Sequence, residues 1–69
     1  MPYTEAYIRV QVELEKVAGS MLLGAASISP GGLAARANVD WFLARDVLQA
    51  MVRNGHARAL RSGRFAKPL

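Results

Sequence analysis

The chain has 69 residues, no cysteine, and a net charge of +4 with a pI near 10.4. That length allows one small domain whose core lies near the lower limit for folding alone, and the missing thiols exclude disulfide staples and thiolate zinc ligation. Hydrophobic residues make up 52% of the chain, but 12 residues are alanine, so little bulk is available for burial.

The charge is unevenly placed. Residues 1–20 carry Glu5, Glu13 and Glu15 against Arg9 and Lys16, and residues 21–52 set Arg36 and Arg45 against Asp40 and Asp46. Residues 53–69 hold Arg53, Arg58, Arg61, Arg64 and Lys67 with no acid at all. A cation cluster confined to the last quarter points to a polyanionic partner. No apolar run approaches the ~20 residues that span a bilayer. The opening MPYTEAYIRV lacks the charged and apolar regions of a signal peptide. A cytoplasmic protein is expected, with no membrane partner.

Two periods compete in the N-terminal third. Ile8, Val10, Val12 and Leu14 alternate with Arg9, Gln11, Glu13 and Glu15, as in a half-buried strand. Tyr3, Tyr7, Val10, Leu14, Val17 and Met21 instead form one stripe of a helix, with Thr4 as its N-cap. The helical stripe is longer, and a helix is the expectation. Gly19 and Gly24 weaken it, so an interruption is predicted between Gly19 and Ser29.

Ser29 at an N-cap and Pro30 at the first helical position open a second helix running to about Ala37. It is expected to bury Leu33, Ala34 and Ala37. Asn38 tolerates the left-handed backbone of a turn, and Val39 plugs the gap before the next helix. Asp40 caps a third helix from Trp41 to about Arg53, whose Ala44, Val47, Leu48, Met51 and Val52 make a buried face. Arg45, Asp46, Gln49 and Arg53 lie opposite. Asn54-Gly55 ends this helix. HARAL and RFAKPL then flank Ser62-Gly63 as two arms of a hairpin, packed on the helices through Leu60 and Phe65.

These elements make an α+β, mainly α, architecture: a small winged helix-turn-helix of three helices and a C-terminal β-hairpin wing. One domain is expected over residues 1–69, with the helix-turn-helix at about 29–54 and the wing at about 56–67.

Catalytic chemistry has little to stand on. His56 is the one histidine and follows a helix-ending glycine, a place suited to phosphate contact. Glu13 and Glu15 point apart on either a helix or a strand. Asp46 lies where it would orient an arginine. Gly31-Gly32 lacks the spacing and lysine of a P-loop. No enzyme activity, cofactor, metal or small-molecule substrate is expected.

Nucleic-acid contacts are the better expectation. Arg45, Gln49 and Arg53 form an i, i+4, i+8 row, with Arg36 on the preceding helix and Arg58, Arg61, Arg64 and Lys67 on the wing. Of the two aromatics opening the third helix, Phe42 is expected to anchor the core. Trp41 is expected to stack on an unpaired base or lie against a sugar.

Ile28-Ser29-Pro30, Leu33-Ala34 with Arg36, Leu43-Ala44-Arg45, Gly55, and Arg58 with Leu60 fall in the order and at the spacing of a known winged-helix core. In these residues the chain resembles the archaeal and eukaryotic small-subunit ribosomal protein family numbered twenty-five, as a divergent member lacking the family's lysine-rich N-terminal tail. The resemblance covers about half the chain. It implies a structural component of an archaeal small ribosomal subunit, with rRNA and neighbouring ribosomal proteins as partners. Under that reading Arg45, Gln49 and Arg53 face rRNA, and the wing cations neutralise phosphates. The alternative is a homodimeric winged-helix transcription regulator on double-stranded DNA. There Arg45 and Gln49 would read base edges, and the stripe from Tyr3 to Met21 would form the dimer seam. A protein-interaction module with an incidental basic tail is a third reading.

Overall fold

A computed structural model describes residues 5–69. Its elements are α1 (Glu5–Gly24), α2 (Pro30–Ala37), α3 (Trp41–Arg53), β1 (Arg58–Ala59) and β2 (Phe65–Ala66). Three helices with a two-stranded antiparallel hairpin make a winged-helix-like α+β fold, as the sequence predicts. Among the described residues no helix is long and apolar enough to cross a membrane.

Of the two periods in the N-terminal third, the helical one is realised, and Gly19 is carried inside the helix. Tyr3 and Thr4 lie outside the described residues. The buried positions of α1 are Leu14, Ala18 and Leu22, with Val17 and Met21 half-buried beside them. Val10, on the predicted helical stripe, is exposed. The reason is reach: no α1 residue before Leu14 is buried, because α2 and α3 are too short to cover the N-terminal half of a 20-residue helix. The predicted interruption falls at 25–29.

Local chemistry sets α2 and α3. The Ser29 hydroxyl accepts from the Gly32 N–H at 2.9 Å, and the Asp40 carboxylate accepts from the Phe42 N–H at 2.7 Å. Each satisfies an amide that a helix start leaves unpaired. Between the helices Asn38 takes the left-handed conformation at φ 57°. Its N–H and that of Val39 both donate to the Ala34 carbonyl, which drops Val39 onto the core. At the end of α3 the Gly55 N–H donates to the Val52 carbonyl and the His56 N–H to that of Met51, at 3.1 and 2.7 Å. These two bonds form a Schellman stop, which needs the positive φ of Gly55.

The wing turns through Leu60-Arg61-Ser62-Gly63. Gly63 donates to the Leu60 carbonyl and has φ 86°, and Leu60 donates to the Arg64 carbonyl beyond it. This is a type I turn followed by a left-handed glycine bulge. Phe65 is buried and Leu60 half-buried, the packing expected of the wing arms. Phe65 also exchanges two backbone hydrogen bonds with Ile28, at 2.8 and 2.7 Å, so the α1–α2 connection adds a third rung to the hairpin. The sequence gives no sign of this bridge. The core closes around the fully buried Leu14, Leu33, Val47 and Leu48.

Candidate nucleic-acid interface

The phase of α3 is set by its cap at Asp40 and by its inward side chains Ala44, Val47, Leu48 and Met51. At about 100° per residue, the outward direction runs through Phe42, Arg45, Asp46, Gln49 and Arg53. All of these are exposed except Gln49, which is half-buried. The predicted row Arg45–Gln49–Arg53 is therefore presented on one side of a 13-residue helix.

Phe42 corrects the sequence expectation. It is 67% exposed and sits in the middle of the outward face, and the core position beside it goes to Ala44. Its aromatic neighbour Trp41 is 44% exposed and meets Phe42 edge-on, with centroids 5.1 Å apart. Trp41 leans against the first turn of α2, where a Cβ on Gly31 would come within 3.8 Å of the indole. The Arg45 guanidinium lies 5.8 Å from the Trp41 ring centroid, within cation–π range. Arg45 is thus oriented by an aromatic ring, and Asp46 forms no ion pair with it or with Arg53.

His56 is exposed immediately after the Schellman stop, next to the end of the α3 row. Arg61 is exposed in the turn at the tip of the wing. Arg58 stands on β1 opposite Ala66, and its Nε donates to the Lys67 carbonyl at 3.5 Å. Arg45, Arg53, Arg58, Arg61 and Lys67 have no carboxylate partner among the described residues. Their charge is uncompensated at close range, the condition for exchanging counterions with a phosphate backbone.

Two predicted contacts sit differently from the rest. Arg36 lines a dent between α1 and α2 together with Lys16, Val17, Ser20 and Met21, so it belongs to the α1–α2 seam. Arg64 donates from Nε to the Ser27 hydroxyl at 2.8 Å and from Nη2 to the Ser27 carbonyl at 3.0 Å. It pins the wing to the connection before α2. The structural part of its role was invisible in the sequence, because Ser27 lies 37 residues away.

Compared with family models, with curated proteins and with solved structures, the chain matches none. The functional reading therefore rests on the geometry of α3 and the wing, beside the sequence resemblance described above.

Proposed function

We propose that the protein binds double-stranded nucleic acid as a winged helix, with duplex DNA as the leading target. The observation that carries this is the outward face of α3. Phe42, Arg45, Gln49 and Arg53 line one side of a helix ~20 Å long, and the cationic wing follows it directly. B-form DNA has a major groove wide enough to admit such a helix, whereas the major groove of A-form RNA is too narrow. Arg45 and Gln49 then reach base edges, Phe42 makes apolar contact, and Arg53, His56, Arg58, Arg61 and Lys67 lie against backbone phosphates.

The test is fluorescence anisotropy with a mixed-sequence duplex across a salt series. Tight, steeply salt-dependent binding that Arg45→Ala and Gln49→Ala weaken supports the reading. Absence of binding at low salt overturns it.

A second reading is the ribosomal one, in which the chain sits on the small subunit and contacts rRNA and neighbouring ribosomal proteins. Its support is the resemblance through Ile28-Ser29-Pro30 and Leu43-Ala44-Arg45, together with two exposed aromatics, Trp41 and Phe42. Such rings stack on unpaired bases. Sedimentation of native extract separates the two readings: co-migration with small subunits through a high-salt wash supports the ribosomal one, and material only at the top of the gradient ends it.

A further inference from the structure

Two aromatic rings open α3, and neither belongs to the buried core. Phe42 is 67% and Trp41 44% exposed. They meet edge-on with centroids 5.1 Å apart. Trp41 in turn rests on the first turn of α2, where a Cβ on Gly31 would lie 3.8 Å from the indole. The same indole has the Arg45 guanidinium 5.8 Å from its centroid. One ring therefore backs two outward groups, an apolar one at Phe42 and a cationic one at Arg45, about a helical turn apart.

The place of these groups on the helix decides what they can read. Asp40 caps α3, so Phe42 is its second residue, and recognition helices touch base edges through their N-terminal residues. Inside a duplex the bases are stacked and offer no ring face. Their major-groove edges are lined with donors and acceptors, and the apolar group among them is the 5-methyl of thymine. 5-Methylcytosine carries the same methyl on the same ring carbon. A phenyl ring laid on a polar edge strips water from donors and acceptors without replacing it. On a methyl it buries apolar surface at no such cost. Arg45 has a different preference, because a guanidinium binds the O6 and N7 of guanine by two parallel hydrogen bonds. From Phe42 to Arg45 the helix rises ~4.5 Å, against ~3.4 Å between stacked base pairs.

On the basis of the duplex reading above, we propose that Phe42 recognises a pyrimidine 5-methyl group and that Arg45 recognises the guanine of the adjacent base pair. The element read by the start of α3 is then a methylated pyrimidine beside a guanine. One chain performs this readout. The stripe predicted as a homodimer seam has Leu14, Val17 and Met21 packed in the protein's own core.

The experiment starts from duplexes that the wild-type chain selects out of a random-sequence pool, with affinity followed by fluorescence anisotropy. Replacing thymine by uracil, one position at a time, removes only a methyl from the groove edge. One position is expected to lose about fourfold in affinity, the worth of one buried methyl. Phe42→Ala binds the thymine and uracil duplexes alike, which assigns the methyl to that ring. Replacing the neighbouring G·C pair by A·T costs the wild type about tenfold or more, whereas Arg45→Ala loses little by the same change. Cytosine and 5-methylcytosine at the methyl-sensitive position then separate the two sources of the group. Tighter binding to thymine marks a sequence reader, and equal or tighter binding to 5-methylcytosine marks a reader of methylated DNA. If a duplex is selected but no uracil replacement weakens it, or if Phe42→Ala keeps the full thymine preference, the inference fails while the duplex reading stands. If no duplex is bound even at low salt, both fall.

Discussion

The Arg64 guanidinium holds Ser27 by two hydrogen bonds, one to the hydroxyl at 2.8 Å and one to the carbonyl at 3.0 Å. The pair ties the wing to the segment that leads into α2. It works alongside the Ile28–Phe65 bridge one residue further along each strand. Removing the fork by Arg64→Ala is expected to cost about 1–2 kcal/mol, at the lower end because the site is exposed. Ser27→Ala costs less, because the carbonyl contact survives. Arg64→Lys fails to rescue, since an ammonium cannot form the two-pronged contact. Urea unfolding of the three variants checks the order; equal effects of Ser27→Ala and Arg64→Ala would assign the whole stabilisation to the hydroxyl.

Phe42 and Leu48 separate binding from folding. Phe42 is 67% exposed, so Phe42→Ala changes stability by no more than ~0.5 kcal/mol, yet lowers duplex affinity. Leu48 is fully buried, and Leu48→Ala costs about 2–5 kcal/mol. A domain of 69 residues holds only about 0.05–0.15 kcal/mol per residue, so Leu48→Ala removes a large share of the total stability and lowers the melting temperature sharply. Circular dichroism melts beside anisotropy titrations give both readouts. A large loss of melting temperature in Phe42→Ala would place that ring in the core after all.

Arg61 and Lys67 test the wing without touching the Arg64 clasp. Every phosphate that a cation no longer neutralises lowers the magnitude of the log–log salt slope by about 0.9. Arg61→Ala with Lys67→Ala is therefore expected to flatten the slope by about two while leaving sequence preference intact. An unchanged slope moves the phosphate-binding groups off the wing.

The two left-handed residues that shape the helix-turn-helix respond oppositely to substitution. Gly55 has φ 78°, and Gly55→Ala forces a Cβ into that conformation at a cost of about 1–2 kcal/mol. Asn38 has φ 57°, and Asn38→Gly is neutral or slightly stabilising, whereas Asn38→Val is destabilising. For a domain of this size 1 kcal/mol moves the melting temperature by roughly 4–8 °C, well within reach of calorimetry. If Asn38→Gly lowers the melting temperature instead, the asparagine side chain contributes more than its backbone tolerance.

The helix-turn-helix was legible because its boundaries are written in short-range chemistry. Ser29-Pro30, Asp40 and Asn54-Gly55 each satisfy or relax backbone groups within a few residues of themselves, so residue type alone places them. The face of α1 was harder. Its apolar residues fall on two stripes, and which one turns inward depends on where α2 and α3 end, a long-range fact. Phe42 misled because size and apolarity argue for burial, while the cap at Asp40 fixes the helix phase that puts it outside. Within the interface the α3 row could be read from spacing. The Trp41 rest for Arg45 and the Arg64 clasp arise from tertiary contacts between side chains, which no local pattern announces.

The Ile28–Phe65 bridge bears on the thermodynamics of association. Ile28 is followed at once by the cap residue of α2, so the wing is anchored to the frame that holds α3. A target touching both α3 and the wing meets a surface already assembled, with few backbone torsions left to freeze. Little of the contact energy is then consumed by ordering, and encounter rates follow diffusion and charge steering rather than a slow closing step.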